Sequence, residues 1–89
     1  MTVFDRHLDG NALGGMLEEV FGREMTAAVG TCSACGSVNA FGAAFAYTEA
    51  PGEVLRCPGC GIVLMVFVHR RDGCRITIGS IRCIEVDTT

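Results

Sequence analysis

Four cysteines, arranged as two Cys-x-x-Cys pairs, are the residues of this chain best suited to chemistry. One pair is Cys32 and Cys35, the other is Cys57 and Cys60, and twenty-one residues separate the pairs. A tetrahedral zinc ion takes four thiolate ligands at about 2.3 Å, and two such pairs supply all four of them. We therefore expect Cys32, Cys35, Cys57 and Cys60 to bind one metal ion per chain.

The residues beside each pair favour a tight, metal-binding turn. Gly36 and Gly61 each follow the second cysteine of a pair, and Pro58 and Gly59 fill the second pair. Glycine adopts left-handed backbone conformations that turn amides toward thiolates, and proline fixes φ. Two disulfides, four buried thiols and a thioredoxin-like redox pair are the alternatives. We expect none of them, because no secretory signal is visible and each pair runs into glycine and β-prone sequence instead of a helix.

Zinc is the metal we expect, and iron is the alternative. Four thiolates also hold the iron of a rubredoxin-like electron carrier, but this sequence has no other redox group. Four protein ligands leave no open position for water, so the chain is not expected to be an enzyme. No phosphate loop, paired-carboxylate site or Ser/His/Asp constellation can be assembled from the remaining residues, and we expect no small-molecule substrate.

The apolar residues near the amino terminus have the spacing of one helical face. They are Leu13, Met16, Leu17, Val20 and Phe21. This i, i+3, i+4 pattern predicts a helix over about residues 10 to 21. Asp9 or Asn11 is suited to cap its start, and Gly22 is suited to end it.

Strand patterns follow the helix. Residues 25 to 31 indicate an edge strand, and Phe45 with Tyr47 has the spacing of a second strand. Residues 50 to 53 form a turn signal that leads to a strand at 54 to 56. These two strands should form a hairpin before the second cysteine pair.

A second hairpin is predicted in the last third of the chain. Residues 62 to 68 are all apolar, which indicates a strand buried on both faces. Asp72-Gly73 is a two-residue hairpin turn signal, and residues 75 to 86 form the return strand. Gly79-Ser80 interrupts the alternation of that strand and predicts a bulge or a bend.

These elements predict a small α+β fold, namely a zinc ribbon with rubredoxin-like knuckles, antiparallel β-hairpins and one N-terminal helix. A chain of 89 residues corresponds to a single domain over residues 1 to 89, with the metal-binding ribbon over about residues 25 to 86. A domain of this size buries a smaller fraction of its surface than a large domain does and usually needs additional stabilisation, which a bound zinc ion would provide.

Several stretches of the sequence resemble a known family. They are LDGNAL at residues 8 to 13, CSACG at 32 to 36, APG at 50 to 52 and LRCPGCG at 55 to 61. They resemble an uncharacterised actinobacterial family of short proteins, a domain of unknown function, over about residues 8 to 84. The knuckles are also similar to those of rubredoxin-like zinc ribbons. The resemblance implies a zinc-ribbon site and no particular activity.

The charged residues mark one candidate contact surface. The formal net charge is −3, but residues 56 to 89 carry five arginines against three acids. Arg70, Arg71 and Arg75 surround the predicted hairpin turn and are candidate contacts for nucleic acid or a protein partner. The alternative is that these arginines keep an apolar hairpin soluble and block edge pairing.

Two cysteines and two histidines lie outside the knuckles. Cys74 and Cys83 lie about 30 Å apart on a fully extended strand, so they cannot bridge each other unless the strand folds back at Gly79. We expect them to be small buried or half-buried apolar residues. His7 and His69 are expected to have partly exposed polar roles and not to bind the metal.

We expect a cytoplasmic protein without a membrane span, because the longest apolar run has seven residues and no targeting signal is visible. The hydrophobic fraction of 49% leaves apolar surface for a protein partner or a homo-oligomer. The sequence therefore predicts a structural zinc module for protein interaction or self-association. The alternatives are a nucleic-acid or transcription-machinery accessory that uses residues 70 to 75, and a rubredoxin-like iron electron carrier.

Overall fold

The structure, a computed structural model, describes residues 8 to 49 and 52 to 87. These residues contain one short α-helix, two 3₁₀ turns and eight strands. The helix α1 spans Gly14–Phe21, and the 3₁₀ turns span Gly10–Leu13 and Phe41–Ala43. The strands are β1 (Leu8–Asp9), β2 (Val29–Cys32), β3 (Val38–Ala40), β4 (Phe45–Glu49), β5 (Gly52–Arg56), β6 (Val63–Arg70), β7 (Gly73–Ile78) and β8 (Ile81–Glu85).

The strands form two antiparallel sheets. A five-stranded sheet has the order β1-β4-β5-β6-β7, and a three-stranded sheet has the order β3-β2-β8. The predicted small α+β class with antiparallel sheets and one helix is thus confirmed. None of the helices among the described residues is long and apolar enough to cross a membrane.

The helix begins and ends with the predicted caps. The Asp9 carboxylate accepts a hydrogen bond from the Asn11 amide at 3.1 Å, and Gly22 ends the helix with a φ of 73°. The predicted α-helix over residues 10 to 21 is nevertheless wrong in its first turn, which is a 3₁₀ turn. The break lies at Leu13, whose φ of −100° and ψ of 9° leave the α region. Two glycines follow it, where helix propensity is lowest.

The core lies against one face of the five-stranded sheet. Ala46, Leu55 and Met65 pair across β4, β5 and β6, and each is completely buried. Leu13 and Leu17 belong to the same buried cluster and bring the helical segment onto this face. Burial of each large apolar side chain contributes about 1.5 to 3 kcal/mol.

The opposite face of this sheet is less buried than predicted. Strand β6 begins at Val63, and Ile62 before it is exposed. Val66 and Val68 point away from the core and are only half-buried. The prediction of a strand buried on both faces is therefore wrong, because the helix covers one face only and valines line the other.

Strand β2 lies in the middle of its sheet, not at an edge. It pairs with β3 on one side, where Gly30 faces Asn39, and with β8 on the other, where Gly30 faces Ile84. The predicted edge strand over residues 25 to 31 is thus a central strand that starts at Val29. The local pattern did not reveal β8 as a partner, since β8 is about fifty residues away along the chain.

Strand β4 pairs with β5 as predicted, with Tyr47 opposite Val54. Residues 50 and 51 of the predicted turn lie outside the described residues. In the second hairpin Arg70 pairs with Gly73, so the two loop residues are Arg71 and Asp72. The predicted Asp72-Gly73 turn is therefore displaced by one residue, because Gly73 is already in extended conformation as the first residue of β7.

The bend predicted at Gly79-Ser80 is where the chain leaves one sheet for the other. Gly79 donates to the Leu64 carbonyl at 2.7 Å, and Ser80 donates to the Val63 carbonyl at 3.0 Å. A Cβ on Gly79 would lie 2.5 Å from the Val63 carbonyl oxygen, so this approach requires glycine. The single return strand predicted over residues 75 to 86 is thus two strands that belong to different sheets.

Candidate metal centre

Both cysteine pairs form the same tight turn. The Gly36 amide donates to the Cys32 carbonyl at 2.9 Å, and the Gly61 amide donates to the Cys57 carbonyl at 2.8 Å. Gly36 and Gly61 have φ values of 78° and 81°, in the left-handed region where residues with a Cβ are strained. The glycines therefore let each turn close on its own first cysteine, as the sequence predicts.

Each turn is fixed to the surrounding sheets. In the first, the Ser33 amide donates to the Ser80 carbonyl at 3.0 Å, next to the crossing between the sheets. In the second, the Arg56 guanidinium donates to the Gly61 carbonyl at 2.9 Å and lies 5.7 Å from the centre of the Tyr47 ring. These contacts fix each turn to a neighbouring part of the fold.

The structure brings the four predicted cysteines together. Their sulfur atoms all lie within 4.8 Å of one another. Between the pairs, Sγ of Cys32 lies 3.8 Å from Sγ of Cys60, and Sγ of Cys35 lies 3.7 Å from Sγ of Cys57. Sulfur atoms about 2.3 Å from a central ion are separated by about 3.8 Å at the corners of a tetrahedron.

The same distances are far from the 2.05 Å or so of a disulfide bond, and all four thiols are free. The four sulfurs therefore fit a single tetrahedral metal ion. Cys32 and Cys57 are buried, with 3% and 1% exposure, whereas Cys35 and Cys60 are exposed. One ligand of each pair thus faces the core, and the exposed side leaves a path for an ion to enter.

Ser37 and Asn39 complete the centre, and sequence analysis did not identify them. The Ser37 hydroxyl lies 3.1 Å from Sγ of Cys35 and 3.2 Å from Sγ of Cys57, so it bridges the two pairs. The Asn39 side-chain amide donates to Ser37 Oγ at 3.2 Å, which leaves the hydroxyl proton free to point at sulfur. Hydrogen bonds of this kind orient metal ligands and tune the charge on them.

The pKa values of the thiols respond to these donors. The Ser37 hydroxyl, followed by the Ser37 amide, lowers the pKa of Cys35. Burial raises the pKa of Cys57, but the Ser37 hydroxyl and the amides of Cys60 and Gly59 outweigh it and bring that pKa to about 6. Cys57 is therefore largely a thiolate at neutral pH, the form that binds metal.

Cys60 has the opposite shift. The Ile62 amide lowers its pKa, but burial and the neighbouring thiols outweigh that donor and raise the pKa to about 11. The cluster thus loses its first protons readily and its last with difficulty. Four negative charges in this space require a cation, which is the behaviour expected of a metal site.

The candidate contact residues lie around the β6–β7 hairpin, at the end of strand β6 opposite to the cysteine pairs. Arg70, Arg71 and Arg75 are all exposed. Within residues 8 to 49 and 52 to 87, no ion pair or side-chain hydrogen bond engages their guanidinium groups. The structure does not bring them to the cysteine cluster.

The remaining predicted residues have separate surroundings. His69 is 49% exposed and its Nε2 lies 2.6 Å from a Glu53 carboxylate oxygen, which confirms a partly exposed polar role. His7 lies outside the described residues. Cys74 is half-buried, as predicted, but Cys83 is exposed. The prediction fails for Cys83 because β8 is an outer strand of the smaller sheet.

Comparison with known proteins places the chain in a family. A family model described as a family of unknown function (DUF6510) matches residues 4 to 89, almost the whole chain. No curated protein and no solved structure matches it. The resemblance to a domain of unknown function, inferred from the knuckles and the residues before the helix, is thereby confirmed. The chain belongs to the family of unknown function DUF6510.

Proposed function

We propose that this protein is a structural zinc module of the zinc-ribbon type, with one ion bound by Cys32, Cys35, Cys57 and Cys60. The observation that carries the proposal is the sulfur geometry, with distances of 3.7 and 3.8 Å between the two pairs. These match the edge of a zinc–tetrathiolate tetrahedron, which is about 3.8 Å. The reducing cytoplasm, where thiols stay free, suits such a site.

The metal would hold the two sheets together. Cys32 ends strand β2 of the three-stranded sheet, and Cys57 follows strand β5 of the five-stranded sheet. An ion bound to both pairs therefore adds a link between the two sheets, beside the buried core that they share and the Gly79-Ser80 crossing. Because all four ligands come from protein, no position remains for a water nucleophile, and we assign no enzymatic role.

The module would act by binding another protein or a second copy of itself. Val38, at an edge of the smaller sheet, is 58% exposed, and Ile78, on the outer strand of the larger sheet, is 53% exposed. Outer strands with exposed apolar side chains are prone to pair with another chain. The exposed apolar side chains on these outer strands therefore support a role in binding another chain.

Native mass spectrometry of the untagged protein, purified without added metal, tests this function. One zinc ion per chain is the expected result, and a dimer mass would identify the second copy as the partner. A folded chain that carries no metal would contradict the proposal. One iron per chain, with a red colour and a reversible redox change, would instead support the electron-carrier alternative.

A nucleic-acid role is the second candidate, because Arg70, Arg71 and Arg75 lack ionic partners among the described residues. Such binding would weaken steeply with salt, since it releases counterions from phosphates. Replacement of all three arginines by alanine should then abolish it. The absence of salt-sensitive binding to single- or double-stranded probes would remove this candidate.

A further inference from the structure

A cleft of about 520 Å³ opens between helix α1 and the β6–β7 hairpin. Met16 and Val20 line it from the helix, and Ile76 lines it from β7. Arg70 and Arg71 lie at the hairpin end, and Glu19 lies on the helix. The volume falls within the range of about 300 to 1,000 Å³ that is typical of small-molecule sites.

We propose that this cleft binds a small organic anion, a molecule with an apolar body and one carboxylate or phosphate group. Met16, Val20 and Ile76 provide an apolar surface for the body. The two guanidinium groups, which no described residue neutralises, provide charge-assisted hydrogen bonds for the anionic group. Among the charged side chains that line the cleft, the two arginines outnumber the single carboxylate of Glu19. The nearby Glu53 carboxylate is engaged by His69, so the arginine end of the cleft favours an anionic group.

The wall beside the arginines is already ordered. His69 lines the cleft, and the Glu53 carboxylate fixes its ring through a contact of 2.6 Å. Cys74 lies directly opposite His69 in the β6–β7 register and also lines the cleft. A pre-ordered wall lowers the entropy cost of binding. The half-buried Cys74 thiol is also a built-in reporter, because a ligand in the cleft covers it.

The chain offers matched controls within the same molecule. Arg75 is exposed and lies on the same hairpin, but it pairs with Val68 on the other sheet face and does not line the cleft. Cys83 is a free exposed thiol on β8, also outside the cleft. Ligand effects on Arg75 variants or on Cys83 would therefore be nonspecific.

The test measures the rate of iodoacetamide alkylation at Cys74 by peptide mass mapping of the full, metal-loaded chain, with the Cys83 rate as the internal reference. Octanoate and octyl phosphate should each slow alkylation at Cys74 and leave Cys83 unchanged. The better protector of the two identifies a carboxylate or a phosphate as the preferred group. Octylamine and inorganic phosphate should give no protection at the same concentration.

The double variant Arg70→Ala, Arg71→Ala should raise the octanoate concentration for half-protection about tenfold or more, since two charge-assisted contacts are lost. Arg75→Ala should leave it within about twofold. Protection is taken as the ratio of rates with and without ligand in each variant, which cancels any change in thiol reactivity. Equal protection by octylamine, or equal losses in the two variants, would overturn the proposal.

Glu19→Gln separates an anion from a zwitterion. Removal of this carboxylate should tighten octanoate binding, because it removes a like charge. A weaker protection in Glu19→Gln would overturn the assignment to a simple anion. No protection by any of the probes, in a chain that retains its metal, would overturn the site itself while leaving the zinc module unaffected.

Discussion

The two ends of the molecule use their polar groups in opposite ways. At the metal centre, Ser37 bridges Cys35 and Cys57, and Asn39 in turn donates to Ser37. At the hairpin, Arg70 and Arg71 have no ionic partner among the described residues. At the metal centre, the polar groups have partners within the chain once an ion is bound, so their role is to stabilise the fold. The hairpin leaves its charges available to something outside the chain.

Removal of the metal should have the largest effect on the stability of the fold. Structural zinc contributes an apparent ~10 to 16 kcal/mol in small modules, against a net stability of about 5 to 15 kcal/mol for a whole domain. A chelator should therefore abolish cooperative thermal unfolding and the dispersed amide spectrum of the chain. An unchanged melting temperature after complete metal removal, confirmed by elemental analysis, would show that the metal does not hold the fold.

Cys57→Ser should have nearly the same effect, because it removes a buried ligand. Cys83→Ser is the matched control, since Cys83 is exposed and lies outside the cluster. Cys57→Ser should lose stoichiometric zinc and unfold, and Cys83→Ser should keep one zinc ion and its melting temperature. Elemental analysis measures the zinc content of each variant, and circular dichroism measures its folding and melting temperature. Equal stability of the two variants would contradict the ligand assignment.

Ser37→Ala keeps all four metal ligands and removes only the hydroxyl that bridges the two cysteine pairs. We expect a loss of about 10- to 100-fold in zinc affinity, the usual effect of removing a hydrogen-bond partner of a metal ligand. Ser33→Ala is the control, because the Ser33 contact to Ser80 uses only its backbone amide. Competition with a chromogenic chelator measures both variants. No change in Ser37→Ala would mean that the hydroxyl does not tune the thiolates.

The pH dependence of metal binding follows from the two shifted thiols. At pH 7 Cys60, with a pKa of about 11, keeps its proton until the ion displaces it, whereas Cys57, with a pKa of about 6, is mostly a thiolate. Zinc affinity should fall as pH decreases and fall more steeply below pH 6, where Cys57 is protonated as well. In Ser37→Ala the pKa of Cys57 should rise, so the steep region should move to higher pH. A chelator competition series from pH 5 to 8 tests this.

The smallest effect is expected at the hairpin end. Glu53→Ala removes the contact to His69, a partly exposed polar contact whose contribution should not exceed the about 0 to 1 kcal/mol of a surface ion pair. Urea unfolding of the metal-loaded protein should show a loss within that range and unchanged zinc content. A larger loss, or release of the metal, would show that the two ends are coupled.

The features predictable from the sequence are those encoded by neighbouring residues. The Cys-x-x-Cys-Gly turns, the Asp9 and Gly22 caps and the β4–β5 hairpin each depend on residues a few positions apart. For these features the neighbouring residue types were sufficient, whereas for the first helical turn and the Asp72-Gly73 turn they were not. The clustering of the two cysteine pairs was predictable as well, because a single metal geometry requires four ligands.

The sheet topology and the cleft escaped prediction because they depend on residues far apart in the chain. Strand β8 pairs with β2 because Gly79 lets the chain cross closely over Val63, and this pairing makes β2 central instead of peripheral. Ser37 lies two positions after Cys35, where the second pair has Ile62, and this asymmetry was the one available signal for its role. The cleft beside Arg70 exists only after the helix packs on the sheet.

X-ray absorption spectroscopy at the metal edge, on the protein as purified, determines whether the four cysteines form a closed zinc site. We expect zinc with four sulfur neighbours at about 2.3 Å and no nitrogen or oxygen neighbour. A shell containing nitrogen or oxygen, or fewer than four sulfurs, would contradict the closed centre formed by Cys32, Cys35, Cys57 and Cys60 and would reopen the question of an enzymatic role.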